Sequence, residues 1–207
     1  MNTAATILLA AAGLVAVIDW WAVSRDRRPV EYGAKPLTLA LLIAVAATID
    51  PADRTQQVWF LVALGLSLVG DVALMLPRDR FIAGLGAFLL AHVAYIGGLI
   101  ARGVDGAGLA VGFALAGLAI ATLGRRIIGS APADLRPPVA AYVVVISAMM
   151  ATGIATGEPW IIVGALLFYV SDALIGWTRF VADFRYGRQA VMTTYHLGQA
   201  GLVLGLL

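Results

Sequence analysis

Residues 58–76 read VWFLVALGLSLVGDVALML. The stretch carries one charge, Asp71, and at about 1.5 Å per residue it spans the roughly 30 Å hydrocarbon core of a bilayer as a helix. It shows no period-two alternation and is rich in Ala, Leu and Gly, so a strand of a membrane barrel is excluded. Working outward, apolar runs separated by short polar ones predict eight spans, near 4–23, 34–49, 58–76, 81–100, 107–123, 138–155, 159–178 and 189–207. The second and fifth are short for a bilayer, which predicts tilt or snorkelling there. The fold class is an all-α polytopic transmembrane bundle, one domain over residues 1–207.

Composition agrees. The chain is 61% hydrophobic and 13% charged, whereas a water-facing domain carries about a quarter charged residues. Its net charge of +2 and pI near 9.2 do not mark a nucleic-acid binder, because the basic residues follow the membrane topology instead. The absence of cysteine removes disulfides, thiolate metal sites and a Cys nucleophile. No Lys or Arg precedes Arg25, so the first apolar run lacks the n-region of a secretory signal and reads as a retained helix.

Twelve of the 14 basic residues fall in the connections after spans one, three, five and seven: Arg25, Arg27, Arg28 and Lys35; Arg78 and Arg80; Arg125, Arg126 and Arg136; Arg179, Arg185 and Arg188. The other side holds Arg54 and Arg102. The positive-inside rule then predicts an inner (plasma) membrane protein with those connections cytoplasmic and both termini outside. Trp20, Trp21 and Trp177 fall at inner ends, and Trp59 and Trp160 at outer ends, as interface anchors do. Gly108-x-x-x-Gly112 and Gly201-x-x-x-Gly205 predict close helix packing. A shift of 101 residues lays Leu68-Val69-Gly70-Asp71 on Tyr169-Val170-Ser171-Asp172, as two parallel four-helix halves would.

Ionisable side chains inside a bilayer are costly and mark function by default. They are Asp19, Lys35, Asp71, His92, Asp172 and His196, with Ser67, Tyr195 and Gln199 as polar neighbours. Counting from the basic connections, Asp19, Asp71, Asp172, Tyr195 and His196 lie roughly 8–12 Å deep, and His92 and Gln199 roughly 16–18 Å. The polar groups thus converge on the cytoplasmic half, as around a cavity open to the inner leaflet, while the outer half has almost none. Ser67 and Asp71 share a helix face, as do Tyr195 and Gln199. Gly70 leaves room beside Asp71 for a helix or ligand. Asp19 reads as an interfacial residue that snorkels or pairs with Arg25. Lys35 reads as a mouth residue within reach of lipid phosphate, and His196 has helix packing as its plainer role. Asp71 and Asp172, two carboxylates at matching depth without an Arg partner, carry the functional expectation.

Ser67-Leu-Val-Gly-Asp71-Val-Ala-Leu-Met75 resembles the third-helix signature of the YhhN family of lysoplasmalogenase-like membrane proteins. Gly164-Ala-Leu-Leu-Phe-Tyr-Val-Ser-Asp172-Ala-Leu174, Lys35-Pro36-Leu37 and Thr194-Tyr195-His-Leu-Gly-Gln199 are similar to its other motifs, in order along the chain. The resemblance implies hydrolysis of the vinyl ether bond of lysoplasmalogens, releasing a fatty aldehyde and glycerophosphoethanolamine or glycerophosphocholine. A lysophospholipid substrate and the bilayer are the implied partners.

The residues fit that chemistry on their own terms. A vinyl ether is hydrolysed by protonating its β-carbon, and water captures the resulting oxocarbenium ion. The site needs an acid protonated near neutral pH and a group that activates water. Two neighbouring buried carboxyls can hold one proton between them, and Asp71 and Asp172 are the expected pair, with the acid and the base left unassigned. His92 is a third proton-transfer candidate. Lys35, Ser67, Tyr195, His196 and Gln199 form the expected substrate-binding set. No cofactor and no metal is expected, because the two histidines lack ligand spacing to any carboxylate, although two Asp and two His could in principle hold zinc. A small proton-coupled transporter and a non-catalytic lipid-binding protein are the alternatives. Against the transporter, the outer half offers no polar path.

Overall fold

The computed structural model describes residues 1–76 and 80–207. Eight long helices follow one another: α1 (Thr3–Ser24), α2 (Arg28–Thr48), α3 (Arg54–Met75), α4 (Phe81–Arg102), α5 (Gly106–Ser130), α6 (Arg136–Ala155), α7 (Pro159–Phe180) and α8 (Gly187–Leu204). No strand occurs among the described residues. Helix α5 is continuous but winds as a π-helix over Ile120–Gly124. Arg78, one of the basic residues invoked for orientation, lies outside the described residues.

The helix starts follow from local chemistry. Asn2, Asp53, Asp105 and Glu158 each cap the orphan N–H groups of the turn that follows. Prolines stand at the first positions of α2, α6 and α7, where no N–H is needed. Pro36 is different, since it lies inside α2 and removes one rung of the ladder directly after Lys35.

The eight predicted spans correspond to the eight helices, and seven of these are long and apolar enough to cross a membrane. The eighth, α8, is the polar exception because it carries Tyr195, His196 and Gln199 on its buried side. The two spans expected to be short are not. Helix α2 has 21 residues and α5 has 25, because each continues into basic sequence that a hydropathy reading trims away.

Neighbours in sequence pair as hairpins, α1 with α2, α3 with α4, α5 with α6 and α7 with α8. The pairing repeats with a period of two helices, and Asp71 and Asp172 lie on α3 and α7, the first helices of the second and fourth hairpins. Further contacts of α2 with α3, α4 with α6, and α8 with both α1 and α2 close the bundle. Helices α7 and α8 cross closely, and a Cβ added to Gly201 would meet the Cα of Gly164 at 2.8 Å. Small residues permit this approach, as the Gly201-x-x-x-Gly205 spacing predicts. Helix α5 lies at the rim. It packs mainly on α6 and leaves Val111, Phe113, Leu115 and Leu118 exposed, an apolar surface suited to lipid.

The tryptophans divide into two groups. Trp21, Trp59 and Trp160 are exposed at helix ends, as anchors are. Trp20 instead donates its indole N–H to His196 Nδ1 at 3.1 Å, and Trp177 packs against the Phe81–Ile127 apolar cluster.

Candidate functional site

The polar side chains reach the bundle interior because they occupy the same 3–4 stripe as the core. On α3 the buried positions are Gln56, Phe60, Ala63, Ser67 and Gly70, with Asp71 beside them. On α4 they include Phe88, Ala91, His92 and Tyr95, and on α8 Val191, Tyr195, Gly198, Gln199 and Leu202. Gly70 makes the α3–α4 approach possible, since a Cβ there would lie 2.6 Å from the Phe88 ring. The space beside Asp71 is thus filled by α4 rather than left to a ligand.

Asp71 is the centre of one cluster. Its Oδ1 lies 2.9 Å from Lys35 Nζ, and its Oδ2 accepts a 2.7 Å hydrogen bond from the Tyr195 hydroxyl. Gln199 Nε2 donates to the Tyr195 oxygen at 3.3 Å, and Gln199 Oε1 accepts from the Tyr95 hydroxyl at 2.5 Å. Donors thus run in one direction across three helices toward a single carboxylate, and each polarises the next. Ser67 lies one turn before Asp71, buried, its hydroxyl without a hydrogen-bond partner. Lys35 is buried and committed to Asp71, so it is not the free mouth residue expected from the sequence.

Asp172 is the centre of a second cluster. Its Oδ2 accepts a 2.6 Å hydrogen bond from the Tyr142 hydroxyl and lies 3.4 Å from His92 Nε2. His92 Nδ1 is 2.6 Å from the Phe88 carbonyl oxygen, which can only accept, so Nδ1 carries a hydrogen. In a neutral ring Nε2 then presents a lone pair to a carboxylate oxygen. Two acceptors so placed repel unless a proton lies between them. A proton shared between His92 Nε2 and Asp172 would relieve that repulsion.

The two clusters are neighbours with an aromatic partition between them. Phe168, fully buried, has ring-centroid distances of 4.7 Å to His92, 5.4 Å to Tyr195 and 6.1 Å to Tyr95. Each aspartate thus has partners of its own, rather than the direct carboxyl pair expected from the sequence. They remain within electrostatic range of each other.

Two hollows meet at this site. One is an apolar cleft of about 690 Å³ including open solvent, between α3, α4, α5, α6 and α7, with Asp172, Tyr142 and Tyr169 in walls otherwise made by side chains such as Leu85, Phe88 and Ile146. The π-helical turn of α5 contributes Leu123 and Gly124 to its rim. The other opens at the arginine-rich end, about 1060 Å³ including open solvent, lined by Arg28, Glu31, Lys35, Arg179, Asp183 and Arg188. Leu74, Phe81 and Ile175 line both, so the charged mouth and the apolar cleft lie side by side. Arg188 spans the mouth, bonded to Asp26 Oδ1 at 2.9 Å and Glu31 Oε2 at 2.7 Å.

Two expectations from the sequence change. Asp19 is not interfacial and is not paired with Arg25. It is fully buried, and neither of its oxygens has a hydrogen-bond partner. The end of the bundle opposite the arginine-rich mouth is not bare either, since Arg102 Nη1 there bonds Gln56 Oε1 at 3.0 Å and the Gly205 carbonyl at 2.7 Å. Those groups bond one another, although Gln56 Nε2 is left without a partner, and they line neither hollow. Sequence reading missed Tyr95, Tyr142 and Trp20. Tyr95 is three residues from His92 and so shares its face, a usable signal. Nothing in the local sequence marks Tyr142. Among the described residues no group of three His, Asp or Glu side chains is placed to hold a metal ion.

These features define a multi-pass α-helical membrane protein with a carboxylate-centred site inside the bundle. The chain belongs to the YhhN family, whose pattern matches residues 30–206. It is 38% identical over 159 residues to the lysoplasmalogenase of Mycobacterium tuberculosis, covering 70% of this chain and 58% of that protein. It is 33% identical over 147 residues to human lysoplasmalogenase TMEM86B, covering 70% of this chain and 62% of the human one. A shorter region of 63 residues, 30% of this chain and 29% of the relative, is 43% identical to the uncharacterized membrane protein YhhN of Escherichia coli O157:H7. The matched region thus spans about three fifths of the mycobacterial and human enzymes. No solved structure matches the chain.

Proposed function

We propose that this protein is a lysoplasmalogenase-like hydrolase that cleaves the vinyl ether bond of a single-chain phospholipid within the membrane. The observation that carries the reading is Asp172. Its side chain lies in the wall of an apolar cleft, with the Tyr142 hydroxyl donating to its carboxyl and His92 Nε2 beside it. Kinship with proteins named lysoplasmalogenase supports the choice of bond.

The lysolipid head group rests in the mouth, where Arg28 and Arg188 offer cations to its phosphate, and the alkenyl chain lies in the cleft. The vinyl ether then falls between them, beside Asp172. Asp172 delivers its proton to the β-carbon, and the ether oxygen shares the positive charge with the adjoining carbon. Water entering past Lys35 attacks that carbon, and Asp71 takes up the proton it releases. Collapse of the hemiacetal gives the fatty aldehyde and the glycerophospho head group, consuming one water and leaving the protein unchanged after the proton returns from Asp71 to Asp172. His92 orients Asp172, and Tyr195, Gln199 and Ser67 hold the Asp71 side in place. Proton transfer of this kind contributes about 10²–10⁴-fold to a rate.

The test is purified protein in detergent or vesicles with a lysolipid carrying a vinyl ether chain, following aldehyde release. The matched alkyl ether lysolipid should give no product. Absence of aldehyde from the vinyl ether substrate, with folded protein confirmed, would overturn the reading.

A further inference from the structure

Helix α5 changes its winding where it reaches the apolar cleft. Over Ile120–Gly124 it is π-helical, and the Arg125 N–H bonds the Ile120 carbonyl five residues back. The Thr122 hydroxyl donates to the Leu118 carbonyl at 2.8 Å in the same stretch. Such wide turns are rare, interrupt the regular ladder and are places where helices bend. The parts of α5 on either side are held differently. Before the turn, backbone lies on backbone. A Cβ added to Gly108 would meet the Ala155 Cα at 2.8 Å, and one added to Gly112 the Ala151 carbonyl oxygen at 2.6 Å. After the turn, the contact with α7 is made by side-chain methyls, and a Cβ added to Gly176 would meet Ile127 Cγ2 at 2.9 Å. Arg136 ties the far end of α5 back to α6, through the Ala131 carbonyl at 3.0 Å and the Gly129 carbonyl at 3.2 Å. The α5–α7 contact is therefore the side on which this segment can part with least disruption.

Behind that contact lies the site. Leu123, Gly124 and Ile127 are the α5 residues in the cleft wall, which they share with Asp172 and Gly176 of α7. Gly176 is one turn beyond Asp172, so the two lie on one helix face. On the outer side, Leu118 and Leu123 are exposed, as are Arg125 and Arg126. Arginines at the end of a span reach for lipid phosphate. The seam therefore falls at the depth where the glycerol of a lipid meets the first carbons of its chain, and the vinyl ether of a lysolipid is that junction.

We propose that the chain of the lipid substrate enters the cleft sideways from the bilayer, through the α5–α7 seam that Ile127 closes on Gly176, with the π-helical turn as the hinge. The other route lifts the whole chain through the charged mouth, and the hydrophobic effect opposes that passage at every CH₂. A sideways route keeps the chain in apolar surroundings throughout, while the head group travels along the arginine-rich rim. The identity of the lipid rests on the hydrolase reading, but the route does not.

The chain has no cysteine, so Ile127→Cys combined with Gly176→Cys allows a single disulfide. Loss of the isoleucine methyls makes room for the new Cβ, and the two positions lie within the reach of a disulfide, whose β-carbons are about 3.5–4.5 Å apart. The full chain in vesicles is compared oxidised and reduced, and only the ratio is read. On oxidation, kcat/KM for a long-chain vinyl ether lysolipid should fall about tenfold or more and return on reduction, as for a locked lid. A short-chain, water-soluble vinyl ether lysolipid should lose less than about threefold, because it can use the mouth. Full turnover of the long-chain substrate by the locked protein, or equal losses for both chain lengths, overturns the proposal. A long-chain alkyl ether lysolipid with a photoreactive chain end gives a readout without turnover. At increasing times after mixing it should label cleft residues in the reduced protein and about tenfold less in the oxidised one, and equal labelling overturns the route. Should the paired variant fail to insert or to oxidise, Ile127→Ala decides with the same probe. It removes the methyls that close on Gly176 and should speed labelling about threefold or more, and an unchanged or slower rate overturns the route. A wild-type protein without turnover would defeat the hydrolase reading, while the labelling would still decide how the chain enters.

Discussion

Lys35 Nζ lies 2.9 Å from Asp71 Oδ1, and both side chains are buried. The two come from different helices, α2 and α3, and the pair ties the mouth of the bundle to its interior. A buried ion pair is weak evidence for net stability, but breaking one side of it is costly, because the remaining charge loses its counter-ion.

Lys35→Met should therefore destabilise the protein by about 3–5 kcal/mol, the usual cost of an uncompensated buried charge. Adding Asp71→Asn should recover much of that loss, because both charges are then gone. Chemical denaturation of the single and double variants in one detergent checks this, and a double variant less stable than Lys35→Met would contradict it.

Asp172→Asn should keep the fold and lose about 10²-fold or more of the turnover. Asn fills the same space, and its amide can donate to the His92 Nε2 lone pair. Asp71→Asn should show a loss of similar size. The variant with both changes should be little worse than the weaker single one, since groups serving one reaction are not additive. Near-full activity in both single variants would remove the carboxylates from the mechanism.

Ala173→Phe should raise KM for long-chain substrates about tenfold or more. Ala173 lines the apolar cleft next to Asp172, and a ring there takes space from an alkenyl chain. A short-chain vinyl ether lysolipid should be affected less, and equal losses for both chain lengths would argue against this cleft as the chain's seat.

Turnover should survive exhaustive chelation. Loss of activity that zinc restores would instead promote His92 and His196 to ligands.

The orientation can be checked with single cysteines, because the chain has none of its own. A cysteine placed beside Arg126 should resist an impermeant thiol reagent added to intact cells, and one beside Arg54 should react. The opposite pattern would invert the topology.

The sequence by itself determined the eight helices and the identity of most polar residues at the site. Length, apolar runs and capping residues act within one helix, so they can be read along the chain. The 3–4 stripe also told which residues share a face, as for Ser67 with Asp71 and Tyr195 with Gln199. What lay beyond it was which face meets which. Lys35 reads as free for lipid phosphate until α2 packs on α3 and sets Asp71 against it. Asp19 reads as interfacial until α1 packs on α2 and α8 and leaves it fully buried. Asp71 and Asp172 lie at equal depth and read as one pair, yet Phe168 stands between their clusters and gives each its own partners. Tyr142 has no local signature, and it joins Asp172 only because α6 packs beside α7. Depth in a membrane follows from counting residues along a helix. Azimuth and neighbour depend on how eight helices rotate against one another, and that is set by side-chain packing between segments far apart in sequence.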